Sequence, residues 1–204
     1  MKKVFVVLAI LAIASVAQAE LLATWTFAGG AGTVTENATV NADQVVFGDL
    51  VRTGLGQAST AAGQFSSNGW QDGGDISFSV TLSAGYFISG ASMNISSIQG
   101  SNTGPGTTQW QLNGSDVGAS LTRTVSTVTS WNASIGSIGT GANTLSIVAV
   151  GTANVTGGAT AAAGSLRIND LTMNGDVTPI PEPATMSLLG LGALAMVLRR
   201  KIRK

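Results

Sequence analysis

Between residues 76 and 82 the chain reads Ile76-Ser77-Phe78-Ser79-Val80-Thr81-Leu82, a strict alternation of apolar and hydroxyl side chains. A period of two gathers every apolar residue on one face of an extended strand, whereas a helix would scatter them around its axis. Runs rich in β-branched and aromatic residues recur at Leu21 to Phe27, Gln44 to Phe47, Ala91 to Ile98, Thr108 to Leu112, Leu121 to Val125, Thr144 to Val150 and Ser165 to Met173. Between them lie Asn68-Gly69, Asp72-Gly73-Gly74, Asn113-Gly114 and Asn174-Gly175, pairs that accept positive φ at little cost and so serve as turns. No stretch of the body carries a helical stripe. The pattern predicts an all-β domain, a two-sheet antiparallel β-sandwich, with Gly29 to Asn41, Gly54 to Ser67 and Gly151 to Gly164 as loops.

Cysteine and histidine are both absent. Disulfides, thiolate metal sites and anchoring through an N-terminal lipidated Cys are excluded, as are Ser-His-Asp hydrolysis and His-ligated zinc. The fold must hold by packing alone. The formal net charge of the 204-residue chain is zero, but its bases cluster at the ends. Residues 20–178 hold nine acids against three bases (Arg52, Arg123, Arg167), a balance of −6, and no lysine. Such a body offers nothing to the phosphates of nucleic acid, and no cofactor is expected.

The N-terminus has Lys2 and Lys3, an apolar run from Val4 to Val16, and Ala17-Gln18-Ala19 before Glu20. A basic start, a short apolar core and a small-x-small site make residues 1–19 a signal peptide, with Ala17 and Ala19 presenting the bond before Glu20 to signal peptidase. At the other end, Pro179-Ile180-Pro181-Glu182-Pro183 precedes an apolar run from Ala184 to Leu198 and the cluster Arg199-Arg200-Lys201-Ile202-Arg203-Lys204. A basic cluster after an apolar run stays in the cytoplasm, which leaves the body outside. The run falls below the ~20 residues of a stable spanning helix, and Gly190 and Gly192 weaken it further, so it suits a transient intermediate.

Pro181-Glu182-Pro183, an apolar helix and an arginine-rich terminus together resemble the PEP-CTERM sorting signal. The resemblance implies that exosortase, a membrane-embedded cysteine peptidase, recognises residues 179–204 and removes them. It also implies association with exopolysaccharide or biofilm matrix. Gly164 to Gly175 and Gly104 to Trp110 resemble stretches of lectin-like jelly rolls, which implies a glycan-associated sandwich whose first and last strands pair, Leu21 to Phe27 beside Leu166 to Met173.

Trp25 alternates with Phe27 and Trp110 with Leu112, so both indoles read as core. Trp70 and Trp131 sit in polar, turn-rich settings and are the candidates for stacking on sugar rings, with packing in the core or at its rim as the competing reading. Asp72 and Asp75 could offer oxygens to calcium, which needs six to eight; two acids are too few alone, and Asp-Gly is first of all turn chemistry, so no metal site is assigned. Asn169 and Asp170 could add oxygens elsewhere. Paired glycosidase carboxylates lack a supporting motif. Asn-x-Ser/Thr triplets at Asn37, Asn94, Asn113, Asn132 and Asn154 follow from a composition rich in Asn, Ser and Thr.

The expectation is therefore a non-enzymatic, exported protein. It passes through a single-pass inner-membrane intermediate and ends at the cell surface or in the extracellular matrix as a structural or adhesive component. The alternative is a carbohydrate-binding module with a specific sugar site.

Overall fold

Strand β7 (Asp75–Leu82) forms where the alternation is strictest, with Ile76, Phe78, Val80 and Leu82 buried and Ser79 and Thr81 exposed. The computed structural model of the chain describes residues 19–27, 35–36, 38–40, 43–58, 63–124, 128–181 and 190–192. Two antiparallel sheets enclose one hydrophobic core. The first runs β11 (Thr129–Ile138), β8 (Tyr86–Gly100), β13 (Leu166–Pro179), β1 (Glu20–Trp25) and β3 (Ala38–Val40), with β6 (Phe65–Ser67) also on β13. The second runs β10 (Ser115–Thr122), β9 (Thr107–Leu112), β12 (Gly141–Ala149), β7, β5 (Leu50–Thr53) and β2 (Thr35–Glu36), with β4 (Val45–Phe47) also on β7. From β7 onward the chain changes sheet at every step except β9 to β10, the habit of a jelly roll.

Aromatic rings knit the sheets together. Trp25 on β1 stands edge-on to Phe47 at 5.9 Å and tilted over Phe78 at 4.4 Å. Phe78 meets Trp110 at 6.4 Å, and Trp110 meets Trp131 of the opposite sheet at 5.6 Å. Trp25 and Trp110 are core residues, as their alternation with apolar neighbours requires. The first and last strands do pair, with Thr24 opposite Thr172 and Trp25 opposite Leu171.

Several elements depart from the sequence pattern. The strand expected over Leu121 to Val125 is the tail of β10, which ends at Thr122. Arg123 then turns inward to donate from Nε (3.0 Å) and Nη2 (2.5 Å) to the carbonyl of Pro105. Asn174-Gly175, expected as a turn, lies inside β13 at a bulge between Asn174 and Asp176. There β13 runs so close to Ile88 and Ala91 of β8 that only glycine leaves room. The expected loop Gly29 to Asn41 contains β2 and β3, and the loop Gly54 to Ser67 ends in β6. Asn113-Gly114 does turn as expected, at φ 51° and 80°, between β9 and β10.

Candidate functional site

Trp70 begins a short 3₁₀ turn (Trp70–Asp72) held between Gly69 at φ 83° and Gly73 at φ 82°. The turn folds the indole back into the core, where it is 2% exposed and donates Nε1–H to the Ser67 carbonyl at 3.2 Å. Trp131 is 4% exposed, stacked on Trp110 and donating Nε1–H to the Ala119 carbonyl at 3.2 Å. A stacking platform needs an open indole face, and neither residue has one. The expectation of sugar stacking at Trp70 and Trp131 is corrected accordingly; both are core.

Asp72 accepts a hydrogen bond from Gln71 Nε2 at 3.0 Å, and Asp75 Oδ1 is buried with no hydrogen-bond partner. Among the described residues no group of three or more acids gathers in a way that could hold a metal ion. Asp170 takes φ 41°, with Ser96 Oγ donating to the adjacent Asn169 carbonyl at 3.0 Å. Asn154 spends its amide on its own turn, Oδ1 accepting from Thr156 N and Gly158 N, both at 2.9 Å, and Nδ2 donating to Ala159 O. Burial lowers the pKa of the Arg123 guanidinium to about 10.

Away from the core, the outer face of the first sheet carries uncharged polar residues in register. Asn132 of β11 faces Asn94 of β8, Asn94 faces Thr172 of β13, and Thr172 faces Thr24 of β1. Beside this row lies a second, Ser134, Ser92 and Asn174. Asn94, Asn132 and Ser134 are exposed and the others half-buried. This face escaped the sequence reading because β11 was not foreseen, although Trp131, Ala133 and Ile135 do alternate with Asn132 and Ser134.

The sorting segment leaves the body from β13. Val177, Thr178 and Pro179 pair with Ile88, Phe87 and Tyr86, and Ile180 N still donates to Gly85 O at 2.7 Å. No slack separates the last sheet hydrogen bond from Pro181. Glu182 and Pro183 lie outside the described residues, as do Ala17 and the rest of the expected signal peptide up to residue 18. Of the apolar segment Ala184 to Leu198, residues 190–192 are described and helical. Among the described residues no helix is long and apolar enough to cross a membrane.

Residues 179–201 match the family described as the PEP-CTERM protein-sorting motif. This chain carries a PEP-CTERM sorting signal. The PEP-CTERM signal marks an exported protein sorted to the cell surface through a transient membrane-anchored form. No curated protein matches the chain. Among solved structures it is similar to a ruminal GH26 endo-β-1,4-mannanase (19% identity, TM-score 0.33), over 52% of this chain and 18% of that one. It is similar also to a family 35 carbohydrate-binding module from Clostridium thermocellum (18% identity, TM-score 0.40, 63% of this chain and 96% of that one). The CBM22-1 xylan-binding domain of Paenibacillus barcinonensis Xyn10C is similar at 13% identity and TM-score 0.42, over 77% of this chain and 95% of that one.

Proposed function

We propose that this PEP-CTERM protein is a non-catalytic structural or adhesive component of the cell surface or extracellular polymer matrix. Signal peptidase frees its N-terminus, and exosortase removes its tail after a brief single-pass stay in the inner membrane. The observation that carries the reading is the sorting motif at residues 179–201. The body supports it. Its four tryptophans are spent on the core, and the outer face of the first sheet is rich in Ser, Thr and Asn, groups that hydrogen-bond to water and polymer without needing charge. Wild type and Glu182→Ala should be fractionated in hosts with and without exosortase. Release of both, in both hosts, would refute the reading.

A second reading, a carbohydrate-binding module, is favoured by the row Asn132, Asn94, Thr172 and Thr24. Amide and hydroxyl groups at strand spacing can bond an extended neutral glycan, and ~4.8 Å between strands is close to the size of a sugar ring. A glycan array decides: reproducible binding lost in Asn94→Ala with Thr172→Ala supports the module, and an array without binding leaves the matrix role as the one to pursue.

A further inference from the structure

Where β13 begins, the alternation Leu166, Arg167, Ile168, Asn169 buries the two aliphatic residues in the core and turns Arg167 and Asn169 to the outer face of the first sheet. β8 and β6 flank this stretch, with Gln99 and Ser66 facing Arg167 from either side. Gln64 precedes Phe65, the partner of Ile168, so the register carries it to the level of Asn169. Three polar atoms of this cluster are buried and make no hydrogen bond among the described residues: Nε of Arg167, Oδ1 of Asn169 and Oε1 of Gln64. The other two bases of residues 20–178 are engaged, Arg52 donating to the Ser66 carbonyl and Arg123 to that of Pro105. Among the described residues no carboxylate pairs with the Arg167 guanidinium. Asp170, the acid nearest to it in sequence, is exposed and accepts from Ser96 Oγ at 3.4 Å.

We propose that Arg167, Asn169 and Gln64 form an acidic-sugar subsite on this face, at which Arg167 holds the carboxylate of a uronic acid unit and the two amide oxygens accept from its hydroxyls. A buried polar atom without a partner is costly and uncommon, and three on neighbouring strands ask for one occupant that satisfies them together. The planar guanidinium fork matches a carboxylate. Amide oxygens need donors, which sugar hydroxyls supply. A sugar bearing a carboxylate brings both. The subsite deepens the second reading above and rests on it. Asn169 stands three residues along β13 from Thr172 of the polar row, about 10 Å, so one chain can lie across both. The balance of −6 over residues 20–178 repels a polyanion at long range, so the chain recognised carries its acid units sparsely. At contact the guanidinium prevails, because salt screens the more distant charges beyond about 8 Å.

The test uses the exported protein on a glycan array of matched pairs, each neutral oligosaccharide beside its counterpart with one unit oxidised at C6 to a carboxylate. The acidic member of the bound pair should bind about tenfold more tightly at low salt, an advantage that shrinks at high salt. Arg167→Gln should abolish the preference, and Arg167→Lys, which keeps the charge and loses the fork, should recover only part of it. Gln64→Leu should weaken binding of the acidic member while leaving the melting temperature unchanged or raised, since it removes a buried acceptor that has no partner in the fold. That variant decides the matter if Arg167→Gln misfolds, and a lowered melting temperature in it would show that Oε1 is satisfied within the protein and overturn the subsite. Equal binding of both members of a pair, lost in Asn94→Ala with Thr172→Ala, overturns the subsite and leaves the module standing. An acid preference that survives Arg167→Gln, or displacement by acetate as readily as by free glucuronic acid, overturns it too. Binding to no pair removes the module reading and the subsite with it.

Discussion

At the scale of residues, Trp131 shows how far a polar neighbourhood misleads about an indole. Ser130 and Asn132 flank it and are outward on β11, but Trp131 itself faces the core and packs on Trp110. Trp131→Ala should therefore act on stability, costing about 3–5 kcal/mol in urea denaturation. If stability barely changed while glycan binding vanished, the indole would be a surface residue after all. Arg123 is the opposite case, a cation drawn inside to satisfy the Pro105 carbonyl where Gly100 and Gly104 leave it room. A Cβ at Gly104 would run into the Ser165 carbonyl, which is backbone and cannot rotate away. Gly104→Ala should lower the melting temperature by several degrees, equivalent to about 1–3 kcal/mol of overpacking. The acids make a separate point. Because no third acid among the described residues joins Asp72 and Asp75, a chelator should leave the melting temperature unchanged, and a drop would reopen the calcium reading.

At the scale of elements, β10 closes one side of the sandwich. Its register with β9 slips between Val117 and Leu121, and Gly118 at φ 67° brings the strand over β11. Two side chains hold the slipped stretch, Gln109 Nε2 donating to Val117 O at 2.6 Å and Trp131 Nε1 donating to Ala119 O. Gln109→Leu should loosen β10 ahead of the rest, seen as faster amide exchange at residues 117–121 and a red shift in Trp131 fluorescence. Uniform exchange across the domain would refute this account. β10 was nearly invisible in the sequence, because Asp116-Val117-Gly118-Ala119-Ser120 has neither alternation nor bulk and its cover comes from partners distant in the chain. By contrast β7 was legible residue by residue, since its alternation is local and its inner face wholly apolar. The full length of β13 was hidden by Asn174-Gly175, whose turn chemistry is overridden by close packing against β8. The candidate site divided the same way. The sorting motif is a contiguous string and could be read directly, while the polar row exists only once strands from opposite parts of the chain are paired.

At the scale of the whole molecule, both proposed processing points border adjacent strands, β1 and β13, at one end of the sheet, so one chemical measurement reports on both. All four lysines, Lys2, Lys3, Lys201 and Lys204, lie outside residues 20–178. Removing only the signal peptide leaves the new amine of Glu20 together with Lys201 and Lys204. Removing the tail as well leaves the Glu20 amine alone. Glu20 is exposed at the start of β1, so that amine is open to an acylating reagent without unfolding the domain. Exported protein labelled in the folded state should therefore show one adduct by intact mass in a host with exosortase and three in a host without it. The single-adduct form should give a β-type circular dichroism spectrum with almost no helix, the contribution of the apolar segment being gone. Three adducts on protein recovered from the medium of the exosortase-containing strain would mean that release does not require loss of the tail, and transient anchoring would then have to be abandoned.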